Sequence, residues 1–173
     1  MSPDPTTRAT RPADRAGRVV SVNVSPGGVP KLPVAEQWVG RMGLTDDGHH
    51  KPEPMHGGPD QAVCLYSMES IARLVEEGHN VFPGAFGENL SLEGVEMGSL
   101  SAGDRLAIGD GGLVIEMTWN AAPCKKQAQW FTHGRFTRIS HKVHPEDARW
   151  YARVITEGPV RPGDQVQVIA GRV

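Results

Sequence analysis

Residues 102–119 read AGDRLAIGDGGLVIEMTW, and this stretch indicates the fold class. A Gly-Asp turn leads into a short apolar segment, and a second glycine-rich turn leads into a longer one. From Leu113 to Trp119, large apolar residues occupy every second position, which is the period of a strand with one buried face. The stretch therefore predicts two short strands, at 105–108 and at 113–119.

A second Gly-Asp turn occurs near the C-terminus. The segment PGDQVQVIA at 162–170 echoes AGDRLAIG at 102–109, with a strand predicted after each turn. Two copies are too few for a repeat array. We therefore interpret the two segments as equivalent corners of one β-architecture.

The composition favours many short elements over long helices. The 173 residues include 21 Gly and 14 Pro, and only 38% of them are apolar. Glycine and proline interrupt long helices, which excludes a helix bundle, and no βαβ periodicity supports a doubly wound sheet. The predicted fold class is mainly β, a closed or nearly closed barrel with a few short helices.

The other predicted elements are also short. Ser67 is placed as the N-cap of a helix over 68–77, whose apolar stripe includes Ile71, Leu74 and Val75. Along 18–24, Val20, Val22 and Val24 are predicted to share one face. Further strands are predicted at 34–39, 62–66, 89–92, 135–139 and 150–156, and short helices at 123–131 and 145–149.

The chain is predicted to form one domain, residues 18–173, after a flexible arm, residues 1–17. With 18 basic and 20 acidic residues the formal charge is −2, so no basic excess points to a nucleic-acid partner. No apolar stretch approaches the roughly 18 residues of a membrane span, and the arm lacks a secretory apolar core. We expect a reduced, cytoplasmic protein with no nucleic-acid or membrane partner.

The two cysteines, Cys64 and Cys124, are sixty positions apart and form no disulfide framework. Cys124 follows Pro123 and precedes two lysines and a predicted helix start, which together favour a thiolate. A thiolate is the form that a nucleophile or a soft-metal ligand requires, although a small buried hydrophobe is the alternative interpretation. Cys64 lies in the apolar run at 62–66, and we interpret it as structural because burial raises a thiol pKa.

The histidine-rich loop before residue 60 contains one candidate anion site. His56 precedes Gly57 and Gly58, whose amides could form an anion-binding nest beside the imidazole, although the same residues also make an ordinary turn. A zinc site using His49, His50 and neighbouring carboxylates is disfavoured, because their spacing matches no standard site.

Four further polar residues each have two interpretations. Glu88 and Asn89 offer acceptors and an amide donor, or simply lead into a strand. Lys31, held between two prolines, is either aimed at a phosphate or exposed. Arg153 is an inward cation if it faces the barrel with Tyr151, and is solvated if Trp150 faces inward instead.

Taken in order, these motifs resemble the MOSC domain family, the module at the C-terminus of molybdenum-cofactor sulfurases. The resemblance covers about residues 17–169 and is to the small stand-alone bacterial type. The matching motifs are G-x-P-K-x-P-V at 28–34, G-L-x-x-D-x-H at 43–49, H-G-G-P-D-x-A-V-x-L-Y at 56–66, G-A-F-G-E-N-L at 84–90, P-C at 123–124, W-Y-A-R-V at 150–154 and G-D at 163–164.

The resemblance implies a β-barrel-like fold and a molybdenum cofactor of the molybdopterin type. It implies that Cys124 is the catalytic residue and ligates molybdenum. The residues that the resemblance places around the cofactor are Lys31, His56, Gly57, Gly58, Glu88, Asn89 and Arg153. No pyridoxal-phosphate domain accompanies them, so the complete sulfurase reaction is not expected.

For function, the resemblance implies an oxidoreductase that reduces N-hydroxylated small molecules with electrons from a separate donor protein. The alternative is a sulfur carrier or cofactor-delivery module that bears a persulfide on Cys124, supplied by a sulfur-donor protein. A third possibility is a binding domain without chemistry at Cys124.

We predict that the arm is dispensable for folding, because its composition offers nothing to a packed core. A chain that begins at Gly17 is expected to unfold within about 2 °C of the full-length chain, as followed by circular dichroism on heating. A shortened chain that fails to fold would contradict this interpretation of residues 1–17.

Overall fold

The structure is a computed structural model that describes residues 16–48 and 57–171. One α-helix, α1 (Met68–Glu76), lies within these ranges. The strands are β1 (Ala16–Val24), β2 (Leu32–Val34), β3 (Gln37–Gly40), β4 (Gly43–Leu44), β5 (Val63–Ser67), β6 (Leu90–Glu93), β7 (Arg105–Ile108), β8 (Leu113–Ala121), β9 (Arg149–Thr156), β10 (Gly158–Val160) and β11 (Gln165–Ile169). The 3-10 helices are Pro59–Gln61, Met97–Ser99, Lys125–Trp130, Thr132–Gly134, Phe136–Ile139 and Pro145–Asp147.

Seven strands close into a barrel, in the order β1-β11-β7-β8-β9-β5-β6 and back to β1. The neighbouring strands run antiparallel except β5 and β6, which are parallel. β2 extends β1 outside the ring, and β10, β3 and β4 form a separate small sheet. The predicted mainly β, barrel-like fold class is confirmed. None of the described helices is long and apolar enough to span a bilayer.

The two Gly-Asp corners are equivalent in the structure, as predicted. β7 and β11 pair directly, so the echoing segments lie side by side. Gly103 and Gly163 have φ of 91° and 93°, which favours glycine at both turns. In each corner the following aspartate, Asp104 or Asp164, accepts the backbone N–H three residues earlier, at 2.8 and 2.9 Å.

β1 begins at Ala16, two residues before the predicted domain start, and residues 1–15 of the predicted arm lie outside the described residues. Of the predicted face of Val20, Val22 and Val24, Val22 and Val24 pack in the barrel core as predicted. Val20 does not, because the pairing with β6 shifts register between Val19 and Ser21, and Val19 takes the core position before this bulge.

Two predicted strands also differ from the structure. The segment 34–39 is divided between β2 and β3, because its first part pairs with β1 and its last part pairs with β10 in the other sheet. The segment 135–139 is a 3-10 helix, Phe136–Ile139, and not a strand. The three-residue period of this helix places Phe136 and Ile139 together in one apolar cluster.

The predicted helix is confirmed as α1, and Ser67 Oγ accepts the N–H of Ser70 at 3.1 Å as the predicted N-cap. Ile71 and Leu74 are buried, but Val75 is 51% exposed, so the predicted stripe is one residue too wide. On β8, a register shift between Met117 and Asn120 likewise leaves Trp119 exposed instead of buried.

β5 separates two apolar clusters, which explains why all five of its residues are buried. Val63 and Leu65 point into the barrel core, whereas Tyr66 packs outside the barrel against α1 and the segment after Cys124. The second cluster consists of Tyr66, Ile71, Leu74, Val81, Ala85, Phe86, Phe131 and Ile139. By strand alternation, Cys64 faces this outer layer as well.

The outer layer is anchored by one buried carboxylate. Asp147, 1% exposed, accepts hydrogen bonds from Arg73 of α1 at 2.6 Å and from Arg138 at 2.8 Å. Burial alone would raise the pKa of Asp147, but the hydrogen bonds from the two arginines lower it overall. This carboxylate therefore connects three separate elements just before β9 begins.

We predict that Asp147→Asn lowers the free energy of unfolding by about 2 kcal/mol at pH 7, less than a fully buried pair would cost, because the Arg73 side chain is 45% exposed. Since the folded pKa lies below the unfolded value of about 3.9, this stabilisation is present above that pH and is lost as the pH falls through the folded pKa. Urea titrations between pH 7 and pH 3 measure the difference.

The control is Glu146→Gln, which changes an exposed neighbouring carboxyl and is expected to cost less than about 0.5 kcal/mol. A difference between wild type and Asp147→Asn that stays constant down to pH 3 would contradict the assignment.

Candidate functional site

A cavity of about 240 Å³ lies outside the barrel core. Its wall combines the loop after β1, Gly48, Gly57 and Gln61, Cys64 of β5, the loop at 84–89, the segment 122–127 and the first residues of β9. The cavity thus lies where several separate parts of the chain meet. Residues more than a hundred positions apart, such as Lys31 and Arg149, share its lining.

Both cysteines line this cavity, and both are free thiols. Cys124 is exposed and directly precedes the 3-10 helix Lys125–Trp130, where a short helix was predicted. Cys64 is 5% exposed, and burial raises its pKa, an effect that the positive charge of Arg149 opposes. Cys64 was interpreted as structural, yet its thiol forms part of the same wall as Cys124.

Tyr151 lies opposite Cys64 in the pairing of β9 with β5, and it also lines the cavity. Burial, together with smaller contributions from Cys64 and Cys124, raises the pKa of Tyr151 to about 12, and the positive charge of Arg149 opposes this shift. The phenol therefore keeps its proton at neutral pH and offers an O–H donor within the cavity.

Arg149 is the buried cation of the site. Its side chain is 5% exposed, and it donates from Nη1 to Phe86 O at 2.8 Å and from Nη2 to Ala122 O at 3.0 Å. Its Nε has no hydrogen-bond partner, and among the described residues no carboxylate lies within ion-pair distance of the guanidinium. Arg149 also interacts electrostatically with the buried carboxyl of Glu88, but only carbonyl groups accept its hydrogen bonds. A buried positive charge with this environment favours an anionic ligand in the cavity.

Lys31 also lines the cavity, but a carboxylate neutralises it. Its Nζ lies 2.5 Å from Asp47 Oδ2, and both side chains are almost completely buried. Asn89 donates to the same Asp47 oxygen at 2.8 Å and accepts the N–H of Cys64 at 3.0 Å. These three side chains form a connected network that holds the loop after β1 against β5.

Glu88 is buried beneath the wall and does not contact the cavity. Its Oε1 accepts the N–H of Gly84 at 2.7 Å and the hydroxyl of Ser91 at 3.2 Å, whereas Oε2 has no partner. Burial raises the pKa of Glu88, and the hydrogen bond from Gly84 opposes this shift. Its contacts hold the loop at 84–88 in place.

The predicted glycine nest is only partly described. His56 lies outside the described residues. Gly57 lines the cavity, and both Gly57 and Gly58 have positive φ, 77° and 84°, which favours glycine. Gly58 has a ψ of 173°, so the pair lacks the alternating αR–αL backbone of a nest. Gly58 lies next to the cavity lining but is not part of it.

Arg153 lies away from the cavity. Trp150, Ala152 and Val154 face the barrel core, so the alternation places Arg153 on the outer surface. There it forms ion pairs with Asp60 and Glu116, each at 3.1 Å. The alternative with a solvated Arg153 therefore describes the structure, and the cation that β9 contributes to the cavity is Arg149.

Sequence reasoning missed several residues of this site, among them Arg149 and Gln127. Arg149 directly precedes the alternating run WYARVIT, and no local pattern distinguishes it from an exposed arginine. Gln127 carries a recognisable signal, because Cys124-Lys-Lys-Gln127 has the spacing of a capping box with cysteine in the cap position.

A second group of potential metal ligands lies outside the cavity. His144, Glu146 and Asp147 place their ligand atoms within 4.8 Å of one another. However, both oxygens of Asp147 already accept hydrogen bonds from arginines, which would repel a metal cation. We therefore assign this cluster a structural role.

Comparison with known proteins identifies the family of this barrel. The profile of the MOSC domain matches residues 52–167. Two bacterial proteins are similar in sequence. YflK of Bacillus subtilis strain 168 is 30% identical over 116 residues, and YiiM of Escherichia coli K12 is 27% identical over 150 residues.

The aligned regions cover 66% of this chain and 51% of YflK, and 84% of this chain and 65% of YiiM. This chain thus spans between half and two thirds of these relatives. The crystal structure of YiiM from Geobacillus stearothermophilus superposes with a TM-score of 0.71 at 26% identity, covering 89% of this chain and 75% of that one.

We predict that iodoacetamide at pH 7.5 modifies Cys124 faster than Cys64 by about a hundredfold or more. Cys124 is exposed, whereas Cys64 is buried and its pKa is raised. Peptide-resolved mass spectrometry of the native protein measures both rates, and the unfolded chain in urea provides the control in which the two rates converge. Comparable rates in the native state would contradict the burial of Cys64 and the exposure of Cys124.

Proposed function

This chain belongs to the MOSC domain family, and from that membership we propose that it binds a molybdopterin-type molybdenum cofactor through Cys124. The observation that carries the proposal is that an exposed thiol and a buried guanidinium without a carboxylate partner line one cavity. A thiolate is a soft ligand suited to a metal bound among sulfur atoms, and the guanidinium suits the anionic part of such a cofactor.

The donor groups of the cavity fit such a ligand. Arg149 Nε is a buried donor without a partner, and Gln61 Oε1 is a buried acceptor without a partner in the same lining. Gly57 also lines the cavity, and because it has no side chain a ligand can approach its backbone closely. A molecule that carries both negative charge and hydrogen-bonding ring atoms would satisfy these groups together.

We propose that the reaction is reduction of an N-hydroxylated small molecule, in which R–NH–OH, two electrons and two protons give R–NH₂ and water. A metal held by Cys124 would supply the two-electron chemistry, and a separate donor protein would replace the electrons. Arg149 would hold the anionic group, and the Lys31–Asp47–Asn89 network would keep the wall in position. The protonated Tyr151 phenol would donate a hydrogen bond within the cavity.

The same exposed thiol also allows the sulfur-carrier alternative, in which Cys124 bears a persulfide and no redox catalysis takes place. The two functions differ in what the purified protein contains. A cofactor-binding protein carries molybdenum and pterin, whereas a carrier gains a reducible 32 Da adduct on Cys124 after treatment with a sulfur donor.

We predict that protein produced in a host that makes the cofactor contains molybdenum and pterin, and that Cys124→Ser reduces both by roughly tenfold or more, because a hydroxyl replaces the soft ligand. Elemental analysis and pterin fluorescence measure the contents. Reduction of an N-hydroxylated amidine by a reduced viologen measures the activity, which should fall in parallel.

Cys64→Ser is the matched control, because it alters the other thiol of the same wall and is expected to retain cofactor. If Cys124→Ser keeps the wild-type molybdenum content, Cys124 is not the ligand. If the wild-type protein holds no molybdenum but gains the persulfide adduct, the carrier function is correct.

A further inference from the structure

The segment that carries Cys124 has little support from regular secondary structure. β8 ends at Ala121, and the 3-10 helix begins at Lys125, so residues 122–124 lie between them without a ladder partner. Pro123 has no N–H to donate. The helix start holds only the carbonyl of Cys124, whose oxygen accepts the backbone N–H of Gln127 at 3.0 Å. The N–H of Cys124 and the carbonyl of Ala122 are held by side chains.

Gln127 is one of these side chains, and both ends of its amide are used. Its Oε1 accepts the backbone N–H of Cys124 at 2.6 Å, and its Nε2 donates to Phe86 O at 3.2 Å. The side chain is 3% exposed, so neither partner is readily replaced by water. The amide thus connects the Cys124 backbone to the loop at 84–88.

Arg149 completes the support from the other side. It donates to the same oxygen, Phe86 O, at 2.8 Å and to Ala122 O at 3.0 Å. A carbonyl oxygen has two lone pairs, and here Gln127 and Arg149 occupy them both. Ala122 and Cys124, on either side of Pro123, are therefore both held in place relative to Phe86 O, one through Arg149 and the other through Gln127.

We infer that Gln127 is a positioning residue for the Cys124 thiol: through its two hydrogen bonds it holds the thiol against the cavity wall instead of letting the segment swing into solvent. The inference rests on the proposed function only in taking Cys124 as the reacting group. Both ends of the Gln127 amide bind protein groups, so Gln127 acts through the Cys124 backbone.

The test is the rate at which a bulky fluorescein maleimide modifies Cys124 in protein prepared without cofactor. Gln127→Met keeps the approximate volume but loses both hydrogen bonds, and we expect modification about fivefold faster than in wild type. Gln127→Glu keeps the oxygen that accepts the Cys124 N–H but loses the donor to Phe86 O, and we expect a rate between those of wild type and Gln127→Met.

Two controls distinguish a positioning role of Gln127 from a general destabilisation of the structure around the cavity. Gln129→Ala removes an exposed glutamine of the same 3-10 helix, whose Nε2 donates to Lys126 O, and should leave the rate unchanged. Cys64 on the same cavity wall should react at its wild-type rate in every variant, because a positioning role moves only Cys124.

A wild-type rate in Gln127→Met would overturn the inference, and so would an equal acceleration of Cys64, which would make Gln127 merely structural. If Gln127→Met does not fold, Gln127→Asn replaces it, because an amide one methylene shorter cannot reach both partners. Since the measurement uses cofactor-free protein, its outcome is independent of whether Cys124→Ser loses molybdenum.

Discussion

The site depends on one buried guanidinium. Arg149 lies at the first position of β9, where the barrel begins its longest pairing with β8, and its side chain reaches out of the barrel to two carbonyl oxygens. Those carbonyls belong to the loop at 84–88 and to the segment before Cys124. The strand that builds the barrel therefore also fixes the distance between the two loops that border the cavity.

Because these carbonyls only partly compensate its charge, Arg149 gives the cavity its chemical preference. The other buried cation of the wall, Lys31, is paired with Asp47 and adds no net charge. A cavity with one such cation beside an exposed thiol suits an anionic ligand with a soft metal. The geometry and the family membership thus support the same kind of ligand from independent observations.

The barrel gives the site a rigid wall, because β5 packs against an apolar cluster on each of its two faces. β5 is buried on both faces, with one face in the barrel core and the other against α1 and the 3-10 helices. Cys64 lies on the outer face, so the barrel supplies a fixed wall on which the more irregular segments assemble. Asp147, two residues before Arg149, binds Arg73 of α1 and Arg138 and so anchors those segments to α1.

Local patterns were sufficient for the elements that depend on neighbouring residues. The alternation at 113–119 predicted a strand, the Gly-Asp corners predicted equivalent turns, and Ser67 predicted a helix start. Register was not predictable, because the bulges in β1 and β8 arise from pairing with distant strands and reverse which side chains face the core. For the same reason the sequence could not decide whether Arg153 or Trp150 faces the interior of the barrel.

The sequence by itself determined the β-rich class, the Gly-Asp corners, the capped helix and the family resemblance, and it singled out Cys124 as a candidate reactive thiol. Each of these depends on residue type and short-range spacing. Only the tertiary structure decided that Cys64 shares the cavity, that Arg149 is its cation and that Gln127 connects Cys124 to Phe86. Those roles depend on hydrogen bonds between residues 41 and 63 positions apart along the chain. Such contacts form only when the closed barrel brings separate loops to one place, and no local pattern records them.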